Sequence, residues 1–271
     1  MRFKRSWLLL EILCLAVFAT AQDKQWQSYV EDGTKAYQQG RYAEAEKLLV
    51  MAVKEAEKFG QQDARLAISL FSLAGLYKAQ GKYDEAEPLY RRSRAIAEKA
   101  LGPNHPFVAT TLNNLAELYR AQGKYVEAEP LYRRSLAIRE KALGPDHPEV
   151  ATSLNNLADF ISHAQGKYDE AQPLFRRSLA IAEKALGPDH RNVAINLNNL
   201  AGLYQAQGKY AEAEPLHRRA LVILEKALGP DHPDVAATLK NYGVLLRKTS
   251  RVGEAEKLEV RAKAIRAKRP N

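Results

Sequence analysis

The sequence is poor in the residues and motifs that build cross-links and catalytic centres. Its single cysteine is Cys14, so a chain that has lost its first residues contains no thiol, which excludes disulfides and thiolate metal sites. It has no Gly-rich phosphate loop, no HExxH motif and no GxSxG motif. The sequence therefore predicts a protein that is not an enzyme, with no catalytic residue, no bound metal and no cofactor.

The first residues form a segment unlike the rest of the chain. Residues 1–5 are basic, residues 7–18 are largely apolar, and a small-residue Ala-Thr-Ala site ends at Ala21. This order is typical of a secretory signal peptide over residues 1–21, with cleavage near Ala21 and a secreted or periplasmic mature protein. The alternative is a membrane anchor at the N-terminus, which would be peripheral because the apolar run is too short to span a bilayer.

One stretch recurs through the remainder of the chain. A Gly-Lys-Tyr or Gly-Arg-Tyr triplet returns at steps of 41, 42, 43 and 42 residues. The triplets begin at Gly40, Gly81, Gly123, Gly166 and Gly208. A further step of 42 reaches Ser250, where Ser-Arg-Val continues the pattern. Six copies with a period in this range predict stacked supersecondary units, none of which buries its apolar face alone.

Within each copy the apolar residues have helical spacing. The third copy shows offsets of three and four at Val108, Leu112, Leu115, Ala116 and Tyr119. A second periodic arm starts after Gly123, which stands where a helix C-terminal glycine is expected. Abundant Ala, Leu, Glu, Lys and Arg also favour helix. Each copy is therefore predicted to be an antiparallel helix pair.

The linkers between copies carry two local predictions. The residue after Gly-Pro is a natural N-cap for the next helix, and the predicted caps are Asn104, Asp146, Asp189 and Asp231. In the fourth copy, one extra residue between Asp159 and Gln165 is expected to form a bulge or a longer turn.

Histidine recurs at the same linker position in four copies, at His105, His147, His190 and His232. Metal ligands lie about 2 Å from their ion, whereas neighbouring helices are about 8–10 Å apart. Equivalent histidines of successive copies therefore cannot share one ion, and they are interpreted as linker residues. His163 and His217 are isolated and predict no site.

The copies resemble the tetratricopeptide repeat, in the long form found in kinesin light chains. The resemblance lies in LNNLA, GKYxEAEPLY and LGPDHPxVA, and in the small and large signature residues. In the second and third copies these residues are Leu73, Ala74, Tyr77, Ala86, Tyr90, Leu115, Ala116, Tyr119, Ala128 and Tyr132. The resemblance implies an all-α, right-handed superhelical solenoid of six helix-turn-helix repeats. The predicted copies span 22–60, which is the N-terminal cap, 61–102, 103–144, 145–187, 188–229 and 230–271, with a basic C-terminal tail.

The resemblance also implies that the first helices line a concave groove that binds an extended peptide. Pairs of asparagine lie on these helices, and an amide suits a main chain because it both donates and accepts hydrogen bonds. The second asparagine of each pair is equally well explained by a bond to a neighbouring helix. The basic balance of the matched positions favours an acidic peptide. The predicted groove residues are Lys78, Asn113, Asn114, Glu117, Arg120, Asn155, Asn156, Asn198, Asn199, Gln205, Lys240, Asn241 and Arg247.

The sequence thus favours a protein-protein interaction scaffold with no small-molecule substrate. One alternative is a basic adaptor that docks on an anionic lipid, glycan or nucleic acid surface. Its docking site would be a convex ridge made of Arg92, Arg134, Arg177 and Arg219. Nucleic acid is the less expected of these partners because no exposed aromatic residues interleave with the arginines. A second alternative is a cytoplasmic cargo adaptor similar to the kinesin light chains.

Overall fold

The computed structural model describes residues 21–268, and all regular secondary structure in this range is α-helical. Twelve helices form six helix-turn-helix pairs, which confirms the predicted fold class. The helices are α1 Ala21–Gln38, α2 Tyr42–Glu57, α3 Ala64–Ala79, α4 Tyr83–Ala100, α5 Pro106–Ala121, α6 Tyr125–Leu143, α7 Pro148–Gln165, α8 Tyr168–Leu186, α9 Arg191–Ala206, α10 Tyr210–Leu228, α11 Pro233–Lys248 and α12 Val252–Ala267. None of these helices combines the length and the apolar character needed to cross a membrane. The predicted signal peptide lies almost entirely outside the described residues.

The chain divides into two compact units, residues 1–131 and 132–271. In the described part of the first unit, α1 packs on α2, α2 on α3, α3 on α4 and α4 on α5. In the second unit, α7 packs on α8, α8 on α9, α9 on α10, α10 on α11 and α11 on α12. Within each unit, successive helices therefore pack on one another, as expected for stacked repeats.

The signature residues of the second copy lie in the core of the first unit. In the first unit, Ala74, Ala86 and Tyr90 are completely buried. The ring of Phe71 meets the rings of Tyr90 and Phe107 edge-on, with centroid distances of 5.6 Å and 5.4 Å. Small alanines let the two helices of a pair approach closely, and each aromatic contact contributes about 1 kcal/mol beyond its buried area.

Histidine, and not the preceding acid or amide, caps the first helix of copies three to six. The Nδ1 atom of each histidine accepts a hydrogen bond from the backbone N–H two residues later, at 3.1 to 3.2 Å. The prediction that Asn104, Asp146, Asp189 and Asp231 are N-caps is therefore wrong. The reason is position, because the helix begins one residue later than expected and the histidine takes the extended conformation that precedes it.

The aspartates of these linkers have another role. The Oδ2 atom of Asp146 accepts from Lys184 Nζ at 2.5 Å, and Asp189 accepts from Lys226 at the same distance. Asp231 and Lys268 form the same ion pair at 2.7 Å. Each linker is thus joined to the second helix of the following copy.

The extra residue of the fourth copy lengthens a helix. Helix α7 has 18 residues, against 16 in α5 and α9, and Gly166 ends it in the left-handed conformation. The expected bulge or longer turn is therefore absent. The backbone N–H groups of Gly166 and Lys167 donate to the carbonyls of Ser162 and Ile161 at 3.2 Å and 3.3 Å, so the longer helix still ends with satisfied carbonyls.

Candidate functional site

The thirteen predicted groove residues all lie on the first helices of copies two to six. Lys78 is on α3, and the others are on α5, α7, α9 and α11. Within a helix they are separated by one, three, four, six or seven residues, which places them on one side. We call these residues, together with Val244 and Lys248 of α11, the first-helix polar face. That this face binds a peptide remains a prediction.

In the first unit, the polar face is held together by its own hydrogen bonds. Lys78 Nζ lies 2.8 Å from Glu117 Oε2 and 3.1 Å from Asn114 Oδ1. Asn113 Nδ2 donates to Glu117 Oε1 at 2.9 Å. Burial disfavours the charged Lys78 ammonium, but the Glu117 carboxylate outweighs it, and the pKa of Lys78 is raised. Asn113 and Asn114 are only 3% and 4% exposed, so the amide pair of α5 stabilises the helix packing.

In the second unit, one amide bridge joins neighbouring copies. Asn199 Nδ2 of α9 donates to Asn155 Oδ1 of α7 at 3.0 Å. Both side chains are half-buried, as is that of Asn156. The bridge corresponds to the helix-joining role that the sequence left open for Asn199.

A second cluster joins three helices of this unit around a residue that sequence reasoning passed over. His217 of α10 is completely buried and contacts Asn198 Oδ1 at 3.0 Å and Gln205 Oε1 at 2.8 Å. Asn198 Nδ2 donates to Thr238 Oγ1 of α11 at 2.7 Å. The available signal was the place of His217 in the repeat, since this position holds Tyr90, Tyr132 and Phe175 in the three preceding copies.

On α11 the polar face is open to solvent. Lys240, Asn241, Arg247 and Lys248 are exposed, and Val244 among them is 46% exposed. Arg247 Nε and Nη2 each lie 2.7 Å from a carboxylate oxygen of Glu259 on α12. This bidentate pair holds the Arg247 side chain in place. Glu259 stands at the repeat position that holds Tyr90, Tyr132, Phe175 and His217 in copies two to five.

The arginines of the alternative docking ridge form pairs between copies. Arg92 lies 3.2 Å from Glu57 and donates to Gln61 at 2.7 Å. Arg177 and Arg219 lie 2.6 Å from Glu140 and Glu183. These side chains are 42% exposed, so the pairs are partly screened by water. The contacts indicate that these arginines join successive second helices.

Within residues 21–268 no cluster of three or more His, Cys, Asp or Glu side chains is placed to hold a metal ion. The four linker histidines use Nδ1 as a helix cap. The site is therefore a polar helix surface, with amides and cations as its chemical groups.

Helix pairs of this length, repeated six times with small residues at each crossing, define a helical repeat protein. The family model for the tetratricopeptide repeat matches residues 34–99, 65–141, 107–160, 149–221 and 194–268. The chain belongs to the tetratricopeptide repeat family. No individually curated protein sequence matches it.

Solved structures of kinesin-light-chain type are similar to this chain. The crystal structure of BtubC (BKLC) from P. vanneervenii is 26% identical, with a TM-score of 0.66, and the match covers 93% of this chain and 95% of that one. A kinesin-light-chain-type protein from Podosopora anserina with nearly identical TPR-like repeats is 32% identical, with a TM-score of 0.62, over 76% and 96%. The apo form of RapI, at 17% identity, 96% and 89% coverage and a TM-score of 0.70, shares the fold.

Proposed function

We propose that the protein is a non-enzymatic scaffold that binds an extended, acidic segment of another protein on the part of the first-helix polar face that lies in the second unit. The observation that supports this most directly is the exposed stripe of α11. Lys240, Val244 and Lys248 follow one another at intervals of four residues and so share one side of the helix. A tetratricopeptide repeat array is typically a protein interaction scaffold, and this stripe is the part of the face with its cations open to solvent.

The chemistry of the stripe favours an acidic peptide over other guests. Two lysines attract carboxylates, Asn241 offers both a donor and an acceptor to a main chain, and Val244 offers a small apolar contact. Arg247 contributes less, because Glu259 already neutralises it. A guest with alternating acidic and small apolar side chains matches this arrangement.

The anionic-surface alternative has less support. The described pairs of Arg92, Arg177 and Arg219 with glutamates would have to break, or be shared, before the ridge could bind a lipid or glycan. Binding to anionic vesicles that disappears at high salt, and that is lost when these three arginines are replaced by glutamine, would favour the ridge.

We also propose that the mature protein acts outside the cytoplasm, because residues 1–21 have the pattern of a secretory signal peptide. Determining the N-terminal sequence of the protein purified from its native source tests this proposal. A mature end near Gln22 is expected. An intact Met1 end would favour a cytoplasmic cargo adaptor or an N-terminal anchor.

Binding is best tested with a fluorescein-labelled peptide of alternating Glu and Ala, and with a Lys and Ala peptide as the charge-reversed probe. The acidic probe should bind and the basic probe should not. Replacing Lys240 and Lys248 together with alanine should weaken binding about tenfold, as expected when about 1.4 kcal/mol is lost. Lys257→Ala on α12 is the matched control, since this lysine is exposed in the same copy but lies off the stripe.

Two results would contradict the proposal. One is equal binding of both probes. The other is equal affinity of the Lys240 and Lys248 double variant and the Lys257→Ala control. Lysines are preferred to the asparagine pair of α5 for this test, because Asn113 and Asn114 are buried and their loss would also disturb folding.

A further inference from the structure

His217 occupies a repeat position that holds a large aromatic ring in the three preceding copies. Tyr90, Tyr132, Phe175 and His217 are equivalent in successive copies, and each is at most 1% exposed. The imidazole stacks on the ring of Tyr242, with a centroid distance of 6.1 Å and an interplanar angle of 22°. Burial lowers the pKa of His217 to about 4, so the ring is neutral at neutral pH.

Both ring nitrogens of His217 face carbonyl oxygens. Nδ1 lies 3.0 Å from Asn198 Oδ1, and Nε2 lies 2.8 Å from Gln205 Oε1. A neutral imidazole has one N–H and one lone pair, so it can bond only one of these two oxygens. The arrangement is therefore complete only when the ring carries both protons. For a neutral ring, one of the two amides must turn over and present its NH2 group.

The second contact of each amide, made by its nitrogen, decides whether Asn198 or Gln205 turns over. Asn198 Nδ2 donates to Thr238 Oγ1 at 2.7 Å, and the Thr238 hydroxyl donates to the Asp234 carbonyl at 3.0 Å. A hydroxyl can rotate and donate to an amide oxygen instead. Gln205 Nε2 faces the main-chain carbonyl of Asn241 at 3.4 Å, which has no proton to give. Reversal of Asn198 keeps its bond with Thr238 and gives up only the bond from the Thr238 hydroxyl to the Asp234 carbonyl, whereas reversal of Gln205 places two carbonyl oxygens opposite each other.

We infer that His217 is a positioning residue for the Asn198 amide, which turns over when the ring gains or loses its second proton. The neutral state has the Nε2–H tautomer, with Nε2 donating to Gln205 Oε1 and Nδ1 accepting from the Asn198 NH2 group. Asn198 is part of the first-helix polar face, so the inference rests on the proposed function where it concerns a guest. When the amide turns over, the Asn198 NH2 group and the Asn198 carbonyl oxygen exchange positions, so a bound peptide would meet a donor where it had met an acceptor.

The neighbours of the His217 ring come from three helices. Helix α9 presents the amides of Asn198 and Gln205, and α11 presents the ring of Tyr242. On α10, Glu214 accepts from the Tyr242 hydroxyl at 2.9 Å and pairs with Arg218 at 3.0 Å and with Arg251 at 2.8 Å. Hydrogen bonding from Arg251 keeps the pKa of Glu214 below its usual range.

The test is ¹⁵N NMR of the full mature chain, without any peptide. At neutral pH the ring shifts of His217 should report the Nε2–H tautomer. On lowering the pH, the Asn198 side-chain NH2 resonances should shift with the same midpoint as the ring nitrogens. This shift should be lost in His217→Phe, a change that Phe175 shows to fit the same position. His190→Asn, which alters an exposed helix cap, should leave the titration unchanged.

Three results would overturn the inference. They are an Nδ1–H tautomer at neutral pH, a ring titration that leaves the Asn198 resonances unmoved, and an Asn198 shift that persists in His217→Phe. The tautomer is measured on the folded protein at neutral pH, so acid unfolding does not prevent a decision.

Peptide binding separates this inference from the proposed function. Coupled titration of the ring and the amide, with no binding of the acidic probe at any pH, would overturn the proposed function alone. Binding of the probe, with Asn198 resonances that do not follow the ring, would overturn the inference alone.

Discussion

Arg219 Nη1 lies 2.6 Å from Glu183 Oε1, and Arg219 Nη2 donates to the Pro188 carbonyl at 3.3 Å. The same two contacts occur one copy earlier, where Arg177 meets Glu140 and the Pro145 carbonyl at identical distances. Arg219, which the sequence presents as a surface cation, therefore links the second helices of two successive copies, α8 and α10.

Replacing Arg219 should test this link. Arg219→Gln is expected to lower the free energy of unfolding by about 0.5 kcal/mol, because the pair is partly exposed. Chemical denaturation at low salt measures the change, and high salt should shrink it. Reversing both charges, with Arg219→Glu and Glu183→Arg, should recover part of the loss. A Gln variant as stable as the parent at low salt would show that the pair contributes nothing.

The His105 cap makes stability depend on pH. Burial lowers the pKa of His105 below the ordinary value of 6.5, so the folded state favours the neutral ring that accepts from Phe107 N. The cap therefore stabilises the fold fully above pH 6.5, and its contribution is lost as the pH falls through the lower pKa of the folded state. The thermal unfolding midpoint should therefore fall as the pH is lowered from 6.5.

A pair of variants isolates the cap. His105→Ala should cost about 1 kcal/mol at neutral pH, the typical value of an N-cap. His105→Asp should keep most of the stability and reduce the acid loss, since Asp63 caps α3 in the second copy by accepting from Arg65 N at 2.8 Å. An alanine variant that unfolds at the same temperature as the parent at neutral pH would refute the assignment of the cap.

The turn of the sixth copy contains a strained residue. Ser250 has a φ of +61°, where Gly40, Gly81, Gly123 and Gly208 have φ between +73° and +77°. Ser250→Gly should therefore stabilise the second unit by about 1 kcal/mol, because a side chain is disfavoured in the left-handed region. Ser250→Ala is the control and should have little effect. Differential scanning calorimetry of the two variants measures the contrast, and equal melting temperatures would argue against strain at this turn.

Two helical glycines should respond in opposite directions to alanine. A Cβ atom at Gly202 of α9 would meet nothing within 4 Å, whereas one at Gly33 of α1 would lie 2.9 Å from Leu49 side-chain atoms. Gly202→Ala should raise the free energy of unfolding by about 0.5–1 kcal/mol through helix propensity. Gly33→Ala should lower it by about 1 kcal/mol or more through overpacking. Urea unfolding monitored by circular dichroism gives both values, and equal signs would contradict the packing at Gly33.

The repeat period, the helical spacing and the family of this protein were readable from the sequence. Small residues such as Ala74 and Ala86 return at the same place in successive copies, as does the large residue at the position of Tyr90. These side chains are buried where the helices pack together. The residues at which the helices begin were harder to predict from the sequence. In copies three to six an asparagine or aspartate and then a histidine precede the first helix. Which of the two caps the helix depends on a shift of one residue in the backbone.

The bonds of the polar face were decided by tertiary structure. Nothing in the order of residues shows that Lys78 reaches Glu117 across one copy, or that Asn199 reaches Asn155, because these contacts need the packing of neighbouring helices. His217 is the clearest case. The sequence by itself determined that a polar ring stands where other copies bury an aromatic one, and only the folded unit placed an amide oxygen on each of its nitrogens, because those amides come from a different helix.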